Sequence, residues 1–475
     1  MRTIPELKEG THRAKATGTL PNGKPVVVNS DGTVSVVEGV AEGAGTPVVF
    51  EAGTTNFVST VFDSNSNKIV IAYRDSSNSN YGTAIVGSVS GTSISFGTPS
   101  VFRSNNAQHI AATFDSNSNK VVIGFQDVAS SFRGTAIVGT VSGTSISFGS
   151  FVVFDTSAAE QIAATFDTSN SKVIMCWQRG GSDGVAVVGT VSGSSISFGS
   201  SVTFSSGTAF YISATFDSNS NKTVIAYGGP SNYATAIIGT VSGTSISFGT
   251  PVVFHSVEPN YTSATFDSVN NKVVVAYRNN NASARGTAIV GTVSGTSISF
   301  GSSVQFNTDV TNYTSAVFDS SSGKVVISYS DYNNSQYGTV ITGTVSGTSI
   351  SFDDPSVFES AAVDNIGSAF DSNSNKVVIG FQDQLNSSYG TAAVFAVGST
   401  NLTSENYIGM SQGGSVASGS SATVDIIGTL STNQSGLTAG QSYYVQTDGT
   451  IGTTPADPSV FAGTAISATS LVVKT

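Results

Sequence analysis

The chain has 475 residues, a formal net charge of −11, 39% hydrophobic and only 10% charged residues, and 51 glycines. The hydrophobic share is enough for a buried core, but leucine occurs only seven times, and a chain poor in Leu, Glu, Lys and Arg lacks the strong helix formers. The acidic balance argues against binding of nucleic acid through a basic surface, and no apolar stretch approaches the 18 residues of a membrane helix. The composition predicts an all-β protein.

The first 24 residues carry five Lys or Arg against two Glu, so a small basic arm precedes an acidic body. This start lacks the apolar run of a secretory signal peptide. The single cysteine, Cys176, excludes an internal disulfide and a thiolate-rich metal site. Its apolar neighbours predict a buried structural thiol.

A motif of about fifty residues recurs seven times along the chain. Each copy has the dipeptide Phe-Asp, a Lys five residues after the Asp, and then an apolar run. The aspartates are Asp63, Asp115, Asp167, Asp217, Asp267, Asp319 and Asp371, which defines repeats 1 to 7. Each copy contains four short runs with strand character, and four strands in a unit of this length are typical of a β-propeller blade.

The fourth-strand motif, which ends in Ser-Ile-Ser-Phe, occurs only six times, so repeat 7 lacks its fourth strand. Residues 45–50, ahead of repeat 1, match the fourth-strand sequence at residues 249–254. We expect this segment to pair with residues 392–397. The sequence therefore predicts a seven-bladed β-propeller of four-stranded blades over residues 45–399, closed by an N-terminal strand, with small β modules at residues 1–44 and 400–475.

The connections between strands fall into two classes. Strands one and two are joined by Asp-Ser-Asn-Ser-Asn-Lys, and strands three and four by Ser-Gly-Thr-Ser; both turns barely change between repeats. The loops that follow strand two, and those between strand four and the next first strand, vary and in a propeller would share one face. The candidate ligand-binding residues of this variable face are Tyr81, Arg103, His109, Arg133, Arg179, Tyr211, His255, Tyr261, Tyr313, Tyr337 and Tyr389. Aromatic and Arg side chains among small polar residues are typical of recognition surfaces for carbohydrate or protein. Ordinary loop packing is the alternative interpretation.

No catalytic or metal-binding pattern is evident. The run that begins at Asp63 has the spacing of a calcium loop, but Lys68 and Arg74 stand where an EF-hand needs Gly and Glu, which favours a simple Asx turn. The three histidines lie too far apart in sequence to suggest zinc. The acidic residues of the variable segments are Glu160, Glu258, Asp309 and Asp364. Nothing pairs two of them as a glycosidase requires, so we expect no cofactor, no metal and no catalytic residue.

The two ends of the chain resemble each other. Residues 20–34 align without a gap on residues 437–451, and both read as strand, Asp-Gly turn, strand. Residues 436–445, the following Thr-Asp-Gly-Thr and residues 462–469 resemble the terminal module of tail-fibre and other virion structural proteins of tailed bacteriophages. Residues 20–37 resemble segments of the same proteins. The resemblance implies a structural component of a virion, assembled in the host cytoplasm, and carries over no functional residue.

These observations predict a non-enzymatic phage surface protein, such as a fibre, spike or capsid-attached appendage. It would contact other virion proteins through residues 1–44 or 400–475, with the basic arm at residues 2–24 as the candidate anchor, and a host glycan or receptor through the variable face. No nucleic acid or inserted membrane partner is expected, and self-association stays open. The alternatives are a secreted bacterial lectin-like propeller and a glycan hydrolase.

Overall fold

The computed structural model describes residues 10–456 and 458–474. The chain forms two compact units, one of residues 43–396 and one that combines residues before 43 with residues after 396. The regular structure is almost entirely β-strand, which confirms the all-β prediction. The helices among the described residues are the single 3-10 turns Val128–Ser130, Pro230–Asn232 and Asn280–Ala282. None of them is long enough to cross a membrane.

Within residues 43–396, each repeat contributes strands that pair antiparallel in chain order. The first strands, with the segments that lead into them, are Val48–Asp63, Ser100–Asp115, Val152–Asp167, Phe210–Asp217, Pro259–Asp267, Val304–Asp319 and Ser356–Asp371. The second strands are Lys68–Asp75, Lys120–Asp127, Lys172–Arg179, Lys222–Gly228, Lys272–Asn279, Lys324–Asp331 and Lys376–Asp383. The third strands are Tyr81–Ser90, Arg133–Ser142, Asp183–Ser192, Ala234–Ser242, Arg285–Ser294, Tyr337–Ser346 and Tyr389–Ala396. The fourth strands are Ser93–Phe96, Ser145–Phe148, Ser195–Phe198, Ser245–Phe248, Ser297–Phe300 and Ser349–Phe352, with Gly43–Ala44 beside repeat 7.

Five of the first strands are 16 residues long and take part in two sheets. Residues 100–106 pair with the third strand of repeat 1, and residues 107–115 pair with the second strand of repeat 2. In repeats 4 and 5 the first strand is interrupted, and its leading part is a separate strand, Val202–Ser205 or Val252–His255. The prediction of a variable loop between fourth and first strands is therefore wrong for the five long strands, because register shifts bend the chain there without ending its pairing.

The N-terminal segment adds a strand to the sheet of repeat 7. Val48 pairs with Ala392 and Val49 pairs with Thr391, which is the pairing that the sequence predicted. The next residue, Phe50, is buried in a cluster that includes residues of repeats 1 and 7. Burial of this side chain joins the start of repeat 1 to the end of repeat 7.

Small hydroxyl side chains link neighbouring first strands. The Ser59 Oγ accepts a hydrogen bond from the Ala112 N–H at 2.9 Å, which joins repeats 1 and 2. The Thr60 hydroxyl donates to the Gly367 carbonyl at 2.8 Å, which joins repeats 1 and 7. A cavity of about 330 Å³ is lined by residues from all seven first strands. Serine, threonine, alanine and glycine fit here because the strands approach one another closely.

The turn after each first strand is held by its aspartate. The Asp63 carboxylate accepts the N–H groups of Asn65 and Ser66 at 2.9 and 3.1 Å. The same pattern, in which one carboxylate oxygen accepts from two N–H donors, recurs at Asp115, Asp167, Asp217, Asp267, Asp319 and Asp371. These are Asx turns, as the sequence predicted. Across residues 10–456 and 458–474, no three His, Cys, Asp or Glu side chains form a group able to hold a metal ion.

The second unit contains two five-stranded sheets and a short strand pair. One sheet has the order Thr11–Lys15, Ser421–Asp425, Tyr407–Gln412, Pro25–Val28, Val34–Val36. The other has the order Leu430–Ser431, Ser470–Val473, Val460–Ser467, Ser442–Val445, Ile451–Gly452, and Gly39–Val40 pairs with Ser399–Thr400. Both predicted Asp-Gly hairpins are confirmed, because Val28 pairs with Val34 and Val445 pairs with Ile451.

The expectation of separate end modules at residues 1–44 and 400–475 differs from this arrangement. Thr11–Lys15 pairs with Ser421–Asp425, and Pro25–Val28 pairs with Tyr407–Gln412, so the chain ends share one sheet. The few short N-terminal strands have too little apolar surface for a core of their own. Residues 11–15 of the basic arm lie in this sheet, so they are not a free anchor, while residues 2–9 lie outside the described part of the chain.

Candidate functional site

Each first strand contains a bulge six residues before its aspartate. In repeat 1, Asn56 pairs with Arg74 and Ser59 pairs with Ala72, so two residues of the first strand oppose one residue of the second. The first bulge residue of every repeat has a φ between 47° and 52°. These residues are Phe57, His109, Gln161, Tyr211, Tyr261, Tyr313 and Asn365. We refer to them as the mouth ring, because the residues that follow them line the cavity between the first strands.

The backbone of the mouth ring suits glycine, yet no repeat has glycine there. A left-handed backbone costs a residue with a Cβ about 1–2 kcal/mol, whereas glycine adopts it freely and asparagine tolerates it. Asn365 is the one member with a favourable identity, and five of the other six carry an aromatic or imidazole ring. All seven side chains are partly exposed. Strain that is kept in bulky, accessible side chains points to a functional surface.

Three tyrosines from consecutive repeats form one wall of the mouth ring. The centroids of the Tyr211 and Tyr261 rings are 5.2 Å apart, and those of Tyr261 and Tyr313 are 4.8 Å apart. The Arg278 guanidinium lies 5.0 Å from the centroid of Tyr261. Burial raises the pKa of Tyr211 and of Tyr313, where Asp364 adds to the effect, so their hydroxyls stay protonated as hydrogen-bond donors.

A second aromatic pair lies in repeats 1 and 2. The rings of Phe57 and His109 are 5.1 Å apart, and the Arg74 guanidinium lies 4.8 Å from the centroid of Phe57. Burial, followed by the charge of Arg74, lowers the pKa of His109 to about 4. The imidazole is therefore neutral at physiological pH and offers one donor and one acceptor.

Amide side chains occupy the two remaining positions of the mouth ring. The Gln161 carbonyl oxygen accepts from the Tyr211 backbone N–H, and the Asn365 carbonyl oxygen accepts from the Phe57 backbone N–H at 3.1 Å. Each amide thus links its own repeat to the bulge of the next repeat, or of repeat 1 in the case of Asn365. These bonds fix the backbone that presents the neighbouring aromatic ring.

Four of the predicted site residues belong to the mouth ring: His109, Tyr211, Tyr261 and Tyr313. Four others, Tyr81, Arg133, Tyr337 and Tyr389, begin third strands and pair with the ends of second strands. The structure does not bring this second group into the mouth ring, because the third strand is separated from the first by the width of the second. A role of this second group in ligand binding stays a prediction.

Arg179 and Arg103 form ion pairs beside the second strands. Arg179 Nε lies 2.5 Å from the Asp155 carboxylate, which also accepts the Trp177 indole N–H at 2.9 Å. Arg103 pairs with Asp127 at 2.9 Å. Asp155 and Asp127 are buried, so these arginines compensate buried charge.

His255 has a comparable structural role. Its Nδ1 lies 2.6 Å from the hydroxyl of the buried Tyr277, so the imidazole gives this buried phenol a hydrogen-bond partner. The buried thiol of Cys176 has its pKa raised by burial, which confirms its predicted structural character.

Three of the four carboxylates considered for hydrolysis have amide partners. Asn280 donates to Glu258 at 3.1 Å, Asn333 donates to Asp309 at 2.7 Å, and Gln384 donates to Asp364 at 2.6 Å. Each of these three carboxylates is thus an acceptor within its own loop cluster, and none of these contacts pairs two acids.

Sequence analysis missed Phe57, Gln161 and Asn365, as well as Arg74 and Arg278 behind the mouth ring. A fixed offset was the available signal, because all seven mouth-ring residues lie six positions before the repeat aspartate and differ in identity. The signal is weak because this position holds phenylalanine, histidine, tyrosine and amide residues and has no common residue type.

Comparisons with known proteins give a likeness of fold. No protein-family model matches the chain, and no curated protein matches it. The BP39L lectin from Burkholderia pseudomallei matches with a TM-score of 0.55 and 10% identity, over 74% of this chain and 99% of that chain. The Cps50 (Swd1) β-propeller domain from Myceliophteria thermophila has a TM-score of 0.49 and 8% identity, over 74% and 99%. The intramolecular trans-sialidase from Ruminococcus gnavus has a TM-score of 0.46 and 8% identity, over 74% and 97%.

Proposed function

We propose that this chain is a carbohydrate-binding protein without enzymatic activity, and that the mouth ring is its binding surface. The observation that carries the proposal is the left-handed bulge, which holds an aromatic, imidazole or amide side chain in all seven repeats although glycine would be less strained. A sugar presents an apolar C–H face and a rim of hydroxyls. The Tyr211, Tyr261 and Tyr313 rings supply matching apolar faces, and their hydroxyls and the neighbouring amides supply hydrogen-bond partners.

The architecture behind this site is, in our proposal, a closed seven-bladed β-propeller whose blades are the seven repeats. Three observations support it: the pairing of Val48 and Val49 with the last third strand, the hydrogen bond from Thr60 to Gly367, and the cavity bordered by all seven first strands. The fold likeness to a lectin from Burkholderia pseudomallei is consistent with a sugar-binding role for such a ring.

The phage virion assignment, including partner proteins at the chain ends and assembly in a host cytoplasm, stays a prediction based on resemblance. A secreted lectin shares the same binding surface, so the glycan proposal does not depend on which of the two settings applies. Hydrolysis has less support, since neither the sequence nor the contacts of Glu258, Asp309 and Asp364 identify a pair of acids.

A glycan array followed by calorimetric titration of the best ligand tests the proposal. We expect binding by the full chain and a loss of about tenfold or more in Tyr261→Asn, because removal of one stacking ring costs on the order of 1.4 kcal/mol. Asparagine occupies the same backbone position at Asn365, so the variant should fold. Tyr337→Asn is the matched control outside the mouth ring and should bind with the affinity of the unmodified protein. Absence of any glycan ligand would refute the function, and equal losses in both variants would refute the site.

A further inference from the structure

Arg74 stands out among the charged groups beside the mouth ring. It lies at the end of the second strand of repeat 1, opposite Asn56 and over the face of Phe57. Its Nε donates to the Ser76 hydroxyl at 3.2 Å. The ion pairs within residues 10–456 and 458–474 involve Arg103, Arg179 and Lys324, and not Arg74. The four N–H donors on its terminal nitrogens have no acceptor among the described residues.

Repeat 5 provides an internal comparison at the same position. Arg278 also lies over an aromatic ring of the mouth ring, at Tyr261. Its Nε donates to Asn280 at 2.8 Å and its Nη1 donates to Asn312 at 2.5 Å. With the Asn260 amide group flipped so that its oxygen faces the guanidinium, this oxygen accepts from Arg278 Nη2 at 2.5 Å. Every nitrogen of this guanidinium therefore has an amide oxygen as its acceptor.

Around Arg74 only the Nε bond is kept, with Ser76 as its acceptor, and the acceptors for the terminal nitrogens are missing. Ser76 stands in place of Asn280, and Gln108 stands in place of Asn312. Asn56, the counterpart of Asn260, donates its own amide to Ser76 at 3.0 Å. The two arginines share a strand position, an aromatic neighbour and a partner for Nε, but only Arg278 has acceptors for its terminal nitrogens.

The chemistry left open at Arg74 is specific. A guanidinium presents two parallel N–H groups that match the two oxygens of a carboxylate, and such charge-assisted pairs are about twice as strong as neutral hydrogen bonds. Phe57 covers one face of the Arg74 guanidinium, and the neutral His109 ring packs against Phe57. The nearest acidic side chains in sequence have other partners: Asp75 accepts from the N–H groups of Ser77 and Asn78, and Asp63 accepts from those of Asn65 and Ser66. Glu51 accepts from the Tyr73 hydroxyl.

Resting on the proposed carbohydrate function, we infer that the preferred ligands are sugars that bear a carboxylate, and that Arg74 is the specificity-determining residue that binds this group. The sugar ring would lie against Phe57 and His109. The other members of the mouth ring would contact the neutral part of the same or an adjoining residue. Arg74 thus makes binding depend on a negative charge, whereas the rest of the surface binds hydroxyls and apolar faces of the sugar.

Titration with an acidic oligosaccharide and with the same compound methyl-esterified at its carboxylates tests this inference. For the unmodified protein we expect at least a tenfold preference for the acid form. Arg74→Gln should reduce that preference to near unity. Glutamine stands at this strand position in three other repeats, as Gln126, Gln178 and Gln382, so the variant should fold, and a melting curve checks this. Arg133→Gln removes an exposed arginine outside the mouth ring and should keep the preference.

The outcomes separate this inference from the function on which it rests. Equal affinity for acid and ester forms would overturn the carboxylate assignment while carbohydrate binding stands. A preference for sulfated over carboxylated sugars would overturn it as well. An unchanged preference in Arg74→Gln would remove Arg74 from the site. If the protein bound neither form and also bound no glycan on an array, the proposed function itself would be refuted.

Discussion

At the scale of single residues, the mouth ring shows how one backbone position can present different chemistry in each copy of a repeat. The bulge fixes φ near 50° whether the residue is Phe57, Gln161 or Asn365. The direction of the side chain is therefore set by the strand pairing, while its identity is free to change. The cost of the strained backbone is about 1–2 kcal/mol at each position with a Cβ, and contacts across the ring offset part of it.

His109 gives this scale a pH-dependent prediction. Its folded pKa of about 4 lies below the usual value of 6.5 because of burial and Arg74, so between these values the unfolded chain binds a proton that the folded chain does not. The free energy of unfolding therefore rises as pH rises through this window. We expect the free energy of unfolding of the unmodified protein, minus that of His109→Gln, to rise by about 3 kcal/mol from pH 4 to pH 7.

Urea denaturation followed by the fluorescence of Trp177, the one tryptophan in the sequence, measures this difference. Gln161 occupies the same backbone position in repeat 3, so the substitution is a mild one. A difference that is flat with pH, or that grows toward acid, would contradict the assignment of His109 as a neutral, poorly solvated imidazole.

At the scale of elements, the turns and strands could be predicted from sequence because their causes are local. The Asp63 turn follows from a side chain that bonds backbone groups two and three residues ahead. The bulge could not be predicted in this way, because Tyr and Phe oppose a left-handed backbone and only the pairing with the second strand imposes it. The five long strands were missed because their leading segments vary in sequence, although their backbone pairing persists.

The Asx turns give the prediction at this scale. Asp115 is buried and accepts the N–H groups of Asn117 and Ser118 and the Ser118 hydroxyl, at 2.7 to 2.9 Å. Asp115→Ala leaves these donors without an acceptor, and we expect it to lower the free energy of unfolding by about 1–3 kcal/mol. Ser116→Ala, an exposed neighbour in the same turn, should change it by less than about 0.5 kcal/mol. Similar losses for both variants would mean that the turn does not depend on the carboxylate.

At the scale of the whole molecule, the proposed closure decides how stability is shared among the repeats. Sequence comparison predicted the pairing of residues 48–50 because the repeat count and the fourth-strand count differ by one. It did not predict that the two chain ends share one sheet, because that pairing joins Thr11–Lys15 to Ser421–Asp425 across more than 400 residues and no repeat marks it.

Closure predicts that the first and an interior repeat respond alike to the same core deletion. The ring centroid of Phe50 lies 5.2 Å from that of Tyr73 and 5.7 Å from that of Phe96. The ring centroid of Phe204 lies 5.1 Å from that of Tyr227 and 5.8 Å from that of Phe248. We expect Phe50→Ala and Phe204→Ala each to cost about 3–5 kcal/mol in one cooperative transition. A much smaller loss in Phe50→Ala, measured by calorimetry, would indicate that the N-terminal strand is dispensable and the ring open.

The bulge also bears on how such a protein can change over generations. Neighbouring repeats share long stretches of near-identical amino-acid sequence, so one repeat could replace part of another while the turns and strand pairing are kept. An exchange between two repeats would swap one mouth-ring side chain for another that already occupies the same backbone geometry. Ligand preference could then diversify one position at a time, without passing through unfolded variants.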